Sequence, residues 1–221
     1  MILAGIRAVV FDLDGTLLDR HRSFERFVRD QWTRFADVLH PAGQDEYVQV
    51  LIERDREGYG SRGELFSGAV AQFGLPGSLA KTLRNDFKDS FASACVLFPD
   101  ALQTLWALRA AGFKLGLITN GSVRMQSRKL ECLALPERFD TVLISDAEGV
   151  SKPDSEIFRR ALERLDVVAA HACYVGNHPE VDVAGARAAG MRAVWRRDPF
   201  LPPPAAADAV IEDLRDLLVG V

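Results

Sequence analysis

The chain has 221 residues, a hydrophobic fraction of 48% and a formal net charge of -4. That apolar content supports a full core and excludes an intrinsically disordered chain. Its 27 Lys and Arg residues are scattered rather than clustered, which leaves no electrostatic footprint for nucleic acid.

The apolar run Ile6 to Phe11 reads as a buried strand that delivers Asp12 and Asp14 to a turn carrying Gly15. Alternate residues of a pleated strand share a face, so the two carboxylates are expected to converge. Close carboxylates raise each other's pKa unless a cation neutralises them, and a hard divalent cation with oxygen ligands does so. The stretch therefore points to a magnesium (Mg2+) site, although Asp-x-Asp-Gly also reads as ordinary turn chemistry at a strand end.

From residue 19 the pattern is helical for about seventy residues. Phe24, Phe27, Val28, Trp32, Phe35 and Leu39 recur at helical spacing, up to the stop at Pro41-Ala42-Gly43. A second helix carries Tyr47, Val50 and Leu51. Ser61 and Glu64 have capping-box spacing ahead of a third, and Leu79, Leu83, Phe87 and Phe91 mark a fourth.

Beyond Pro99, helix and strand alternate. Helices are expected at 100–111, 122–133, 153–165 and 181–189, with one more at the C-terminus. Strands are expected at 114–118, 141–144, 173–175, 192–195 and 209–211. Strands joined by helical crossovers imply an α/β fold with a doubly wound, Rossmann-like parallel sheet. Residues 1–18 and 97–221 would form that core, and 19–96 an inserted all-helical cap domain.

Polar motifs fall where strands end, the edge at which open α/β sheets bind ligands. Leu117-Ile118-Thr119-Asn120-Gly121 breaks from an apolar strand into hydroxyl, amide and glycine ahead of a helix. That arrangement suits a phosphoryl oxygen, although taken by itself it reads first as an ordinary N-cap with turn residues. Ser151-Lys152-Pro153-Asp154 precedes another helix and places a cation there. Val175-Gly176-Asn177-His178-Pro179-Glu180-Val181-Asp182 follows a strand and offers oxygen donors. With four histidines and no pair at ligand spacing, His178 reads as a surface or supporting residue rather than a metal ligand.

These four motifs, in this order over nearly the whole chain, resemble the haloacid dehalogenase superfamily of phosphohydrolases, in the branch with a helical cap between the first and second motifs. The resemblance implies Asp12 as nucleophile and Asp14 as acid and base, with Thr119 and Lys152 cradling the phosphoryl group. It further implies Thr16, Asn120 and Gly121 at the substrate, Thr16 also orienting the loop and Asp14. Magnesium would sit on Asp12, the Asp14 main-chain carbonyl, Asn177 and Asp182. The family usually shows Asp where this chain has Asn177, so the ligand there is neutral.

The expected activity is magnesium-dependent hydrolysis of a small phosphorylated metabolite through an aspartyl-phosphate. Haloacid dehalogenation, a phosphosugar mutase and a non-catalytic phospho-ligand-binding protein are the alternatives. Asp14 argues against the first, since dehalogenases lack a second acid.

Arg20, His21, Arg22, Arg26 and Arg62 read as solvated helix residues that would otherwise touch an anionic substrate. Cys95, Cys132 and Cys173, odd in number and set in apolar stretches, read as reduced, buried thiols of a cytoplasmic protein. No stretch reaches the roughly 20 apolar residues of a membrane span, and no signal-peptide pattern is present.

Overall fold

The computed structural model describes residues 1–58 and 60–220. The chain divides into two compact units, Met1–Asp19 with Leu97–Val221, and Arg20–Val96. Asp19 thus belongs with the first unit, one residue later than the sequence suggested. No helix among the described residues is long and apolar enough to cross a membrane.

The first unit is built on six strands: β1 (Ala8–Phe11), β2 (Lys114–Thr119), β3 (Thr141–Ile144), β4 (Ala172–Gly176), β5 (Arg192–Arg196) and β6 (Ala209–Ile211). All pair in parallel in the order β3-β2-β1-β4-β5-β6. The order runs one way from β1 to β3 and the other way from β4 to β6. The topological switch therefore lies between β1 and β4, where such sheets open a crevice beyond the strand ends. β1 is buried along its length because it is central and covered on both faces, which is why its sequence is unbroken Ala-Val-Val-Phe.

The second unit is helical: α1 (Arg20–Arg34), α2 (Ala36–Leu39), α3 (Gln44–Asp55), α4 (Arg62–Gln72) and α5 (Leu79–Ala94). The single helix expected through Leu39 breaks at Phe35, whose backbone (φ -113, ψ 25) leaves the helical region. Ser61 caps α4 with its main-chain carbonyl alone, so the expected capping box does not form. Phe24, Phe27, Phe87 and Phe91 interlock between α1 and α5, with ring centroids 4.8 to 6.3 Å apart. Arg20 is buried rather than solvated: one guanidinium nitrogen donates to both Asp55 oxygens at 3.0 and 2.7 Å. The Arg62 side chain lies outside those described.

The sheet unit adds α6 (Ala101–Ala110), α7 (Val123–Cys132), α8 (Ser145–Glu148), α9 (Ser155–Leu165) and α10 (Gly185–Ala188). Ser122 caps α7, accepting from the Met125 amide at 3.4 Å, and Asp154 caps α9, accepting from Glu156 at 2.9 Å. The helix expected at 181–189 is a π-helical turn, Pro179–Ala184, running into α10. The expected last helix is a short 3-10 turn, Leu214–Leu218. Ile157, Phe158, Ala161 and Leu165 of α9 bury against Val10, Ile118, Tyr174 and Trp195 of the sheet. Cys132, the last residue of α7, is exposed, correcting the expectation of three buried thiols. It follows the exposed Glu131 at the end of the helix and faces solvent with it, although Leu130 and Leu133 on either side are apolar.

Candidate active site

β1 stops at Phe11, so Asp12 and Asp14 leave the strand and are placed by the turn rather than by pleat alternation. The turn closes on itself: the amides of Thr16, Leu17 and Leu18 all donate to the Leu13 carbonyl, and Gly15 donates to Leu18. Gly15 has φ +87, and a Cβ there would run into the Asn177 amide, so glycine is required both for the turn and for the close approach. Thr16, fully buried, donates its hydroxyl to Asp12 Oδ2 at 3.1 Å. It orients Asp12, not Asp14 as expected, because the turn folds its side chain back toward the strand end.

Lys152 reaches this point from the segment before α9. Its ammonium lies 2.6 Å from Asp12 Oδ1, 2.6 Å from Asp182 Oδ1 and 2.8 Å from the Tyr174 hydroxyl, all buried. The Tyr174 hydroxyl also donates to Asp182 Oδ1 at 3.1 Å. Gly176 makes room for this packing, since a Cβ there would overlap the Asp182 side chain.

Burial drives Asp12 upward to about 7; Lys152 opposes the rise, while Asp182 and Asp14 add to it. Burial works against the Lys152 ammonium too, yet Asp12 and Asp182 hold its pKa above the usual value. The two shifts differ in their leading cause: burial raises Asp12 despite the ammonium beside it, whereas two neighbouring carboxylates outweigh burial at Lys152. Burial, with Asp182 and Asp12 beside it, holds Tyr174 as the neutral phenol.

Asp14 takes a different lysine. Lys129 Nζ on α7 lies 2.7 and 2.8 Å from its two oxygens, and Gln126 Nε2 donates to Oδ2 at 3.0 Å. The same Gln126 nitrogen donates to the Thr119 hydroxyl oxygen at the end of β2. The structure thus brings Asp12, Asp14, Thr119, Lys152 and Asp182 to one sheet edge, joined by Gln126, Lys129 and Tyr174, which sequence reasoning missed. The two α7 residues carry a signal in hindsight: they stand at i and i+3 beside the apolar Leu130, on the buried face. Tyr174 carried none beyond an apolar run.

Two expected substrate contacts are otherwise engaged. Asn120 clamps the main chain of Lys152, donating to its carbonyl at 2.9 Å and accepting from its amide at 3.0 Å. The Gly121 amide donates to Ser145 Oγ at 3.0 Å. Both residues therefore fasten the second and third motif loops to their neighbours. Asn177 donates its side-chain nitrogen to Asp198 Oδ2 at 2.7 Å, and its main-chain carbonyl accepts from Trp195 at 2.7 Å. His178 uses Nδ1 to accept the amides of Glu180 and Val181 at 3.2 and 3.1 Å, capping the π-helical turn.

No three His, Cys, Asp or Glu side chains among the described residues are grouped to hold a metal ion. The Asp14 side chain is committed to Lys129, and Lys152 stands between Asp12 and Asp182. A cation here would draw on Asp12 and Asp182, whose oxygens also accept from Thr16, Lys152, Tyr174 and the His178 amide, on the Asp14 main-chain carbonyl and on the neutral carbonyl of Asn177. Magnesium is commonly held by one or two carboxylates, with waters and substrate phosphate completing its shell. This all-oxygen set with surplus negative charge fits such an ion.

A family model described as haloacid dehalogenase-like hydrolase matches residues 6–190. The chain is 31% identical over 203 residues to glyceraldehyde 3-phosphate phosphatase of Pyrococcus abyssi, covering 86% of this chain and 81% of that one. It is 32% identical over 194 residues to (S)-2-haloacid dehalogenase 1 of a Pseudomonas species, covering 86% and 83%. The crystal structure of a HAD phosphatase from Thermococcus onnurineus matches with a TM-score of 0.63 and 29% identity over 97% of this chain and 99% of that one. The family match extends from the strand that leads into Asp12 past Asp182, and the parallel sheet brings those two carboxylates to one lysine: the chain belongs to the haloacid dehalogenase-like hydrolases.

Proposed function

We propose that this hydrolase is a phosphatase acting on a small phosphorylated metabolite through an aspartyl-phosphate on Asp12. Similar relatives named as phosphatases support this reading, and the site supplies an argument against the dehalogenase alternative. The observation that carries it is the second acid, Asp14, held at the same strand end as Asp12 but on a lysine of its own.

In the proposed reaction Asp12 attacks phosphorus, forming an acyl-phosphate as the bond to the leaving oxygen breaks, and Asp14 gives that oxygen its proton. Water then attacks the acyl-phosphate, Asp14 takes its proton, and orthophosphate departs as Asp12 is regenerated. Thr16 and Lys152 hold Asp12 in line throughout, and Thr119 offers its hydroxyl to the phosphoryl group. Magnesium, when bound by Asp12, the Asp14 carbonyl, Asn177 and Asp182, supplies positive charge against the repulsion between phosphate and carboxylates. The helical unit is assigned the choice of substrate, on its place in the chain between the first and second motifs.

The test is orthophosphate release from a panel of phosphorylated metabolites that includes glyceraldehyde 3-phosphate, with and without magnesium. Chloride release from 2-chloropropionate without metal is run in parallel. Magnesium-dependent phosphate release, abolished by Asp12→Asn with an unchanged circular dichroism spectrum, is expected. Halide release without phosphate release overturns the reading.

A further inference from the structure

We propose that Gln126 and Lys129 are positioning residues that together aim the Asp14 carboxylate at the leaving-group oxygen; the proposal rests on the phosphatase reading. Ser122 starts α7 immediately beyond the second motif, and a spacing of three puts both side chains on one face of the helix. That face is buried: Gln126 is 2% exposed and Lys129 5%.

The hydrogen bonds within the first-motif turn fix its backbone, and Thr16 fixes Asp12. Asp14 is held instead from across the sheet edge. The ammonium bridges both of its oxygens, and the amide takes one of them from a second direction. Two donors approaching from different points constrain the plane of a carboxylate, whereas charge neutralisation alone needs only one cation. The Gln126 amide also meets Thr119, so the side chain that orients the acid is joined to the hydroxyl assigned to the phosphoryl group. Acid and phosphoryl contact are thereby held at a set separation, as proton delivery to the bridging oxygen requires.

Leaving-group chemistry separates this role from a structural one. An alkyl phosphate needs its leaving oxygen protonated, whereas p-nitrophenolate departs with little help. The quantity kcat/KM covers steps only through departure of the leaving group. For Lys129→Met, kcat/KM for an alkyl phosphate such as glycerol phosphate should fall by about 100-fold, the scale of general acid catalysis. For p-nitrophenyl phosphate it should stay within about fivefold, while kcat falls and a burst of p-nitrophenolate appears, because Asp14 also serves the hydrolysis of the phospho-enzyme.

Lys129→Arg should recover part of the alkyl activity, and Gln126→Ala should repeat the pattern to a smaller extent. Gln126→Ala keeps the ion pair and serves if the methionine variant does not fold. If the variants lose kcat/KM in parallel on both esters, or change KM alone, the inference fails and the phosphatase reading stands. If the unaltered protein with magnesium hydrolyses neither the two esters nor the metabolite panel, the phosphatase reading fails and the inference with it.

Discussion

In the helical unit the buried Arg20 guanidinium meets both oxygens of Asp55, with the rings of Phe24 and Phe91 5.0 and 5.1 Å from its central carbon. In the sheet unit the buried Lys152 ammonium is divided between Asp12 and Asp182, with Asp14 close enough to push Asp12 further upward. The first arrangement sets a guanidinium on both oxygens of a carboxylate and covers the contact with aromatic surface. The second leaves anionic charge in excess and commits it to the end of β1. A balanced buried pair can be exchanged for apolar volume, whereas an unbalanced one is explained by what it is built to bind or attack.

Double substitutions test this difference, and their effects should be the largest. Arg20→Met or Lys152→Met alone should each cost about 3–5 kcal/mol, because the first leaves buried Asp55 without this guanidinium and the second leaves both Asp12 and Asp182 without their ammonium. Arg20→Met with Asp55→Leu should restore stability to within about 1 kcal/mol of the starting protein or better, since both members of the ion pair are replaced by apolar volume together. Lys152→Met with Asp12→Asn should recover only part of its loss, because Asp182, 1% exposed, still lacks its cation. Urea unfolding measures all four. Full recovery in the Lys152 pair would show that the triad is as dispensable as the Arg20 pair.

A smaller effect is expected at Asn177. Replacing it with Asp adds a charged oxygen to the proposed magnesium set, so the magnesium concentration giving half-maximal activity should fall several-fold. The structure adds a cost, because the Asn177 nitrogen donates to Asp198 at 2.7 Å and the substitution sets two carboxylates together there. Without magnesium, the variant should lose about 1–2 kcal/mol through a broken hydrogen bond and like-charge repulsion. With magnesium, much of that should return. A half-saturating concentration that does not move would place residue 177 outside the metal's ligands.

How much of this was legible in the sequence follows from the range of the forces involved. Apolar runs bounded by turn residues give β3 and β6 to the residue, because strand burial is written into consecutive side chains. The break at Phe35 is invisible, since the apolar spacing continues through it and only the backbone departs. The family motifs identify Asp12, Lys152 and Asp182, and the structure brings those three together. They do not reveal which aspartate Thr16 holds, because both lie within hydrogen-bonding reach along the chain and the turn decides. Gln126 and Lys129 stay hidden because a polar residue on an amphipathic helix looks solvated until its partner, more than a hundred residues away in sequence, is known.

The smallest expected effect is a thiol count that reads each unit separately. Cys173 is fully buried in the central strand β4, and burial pushes its thiol up to about 12. Burial thus disfavours the reactive thiolate at pH 8 as well as the approach of reagent. Cys95 lies in the helical unit at the end of α5, where its thiol donates to the Phe91 carbonyl at 3.5 Å. Helix ends open more readily than central strands. Alkylation with iodoacetamide should therefore modify exposed Cys132 at once, Cys95 at urea concentrations that loosen the helical unit, and Cys173 only when the sheet unit unfolds. Because the unfolded chain releases the Cys173 proton near 9.0 and the folded chain only near 12, the sheet unit should lose stability as pH climbs through that window. Cys173 reacting together with Cys95 would mean that the two units, for all their difference in buried charge, open as one.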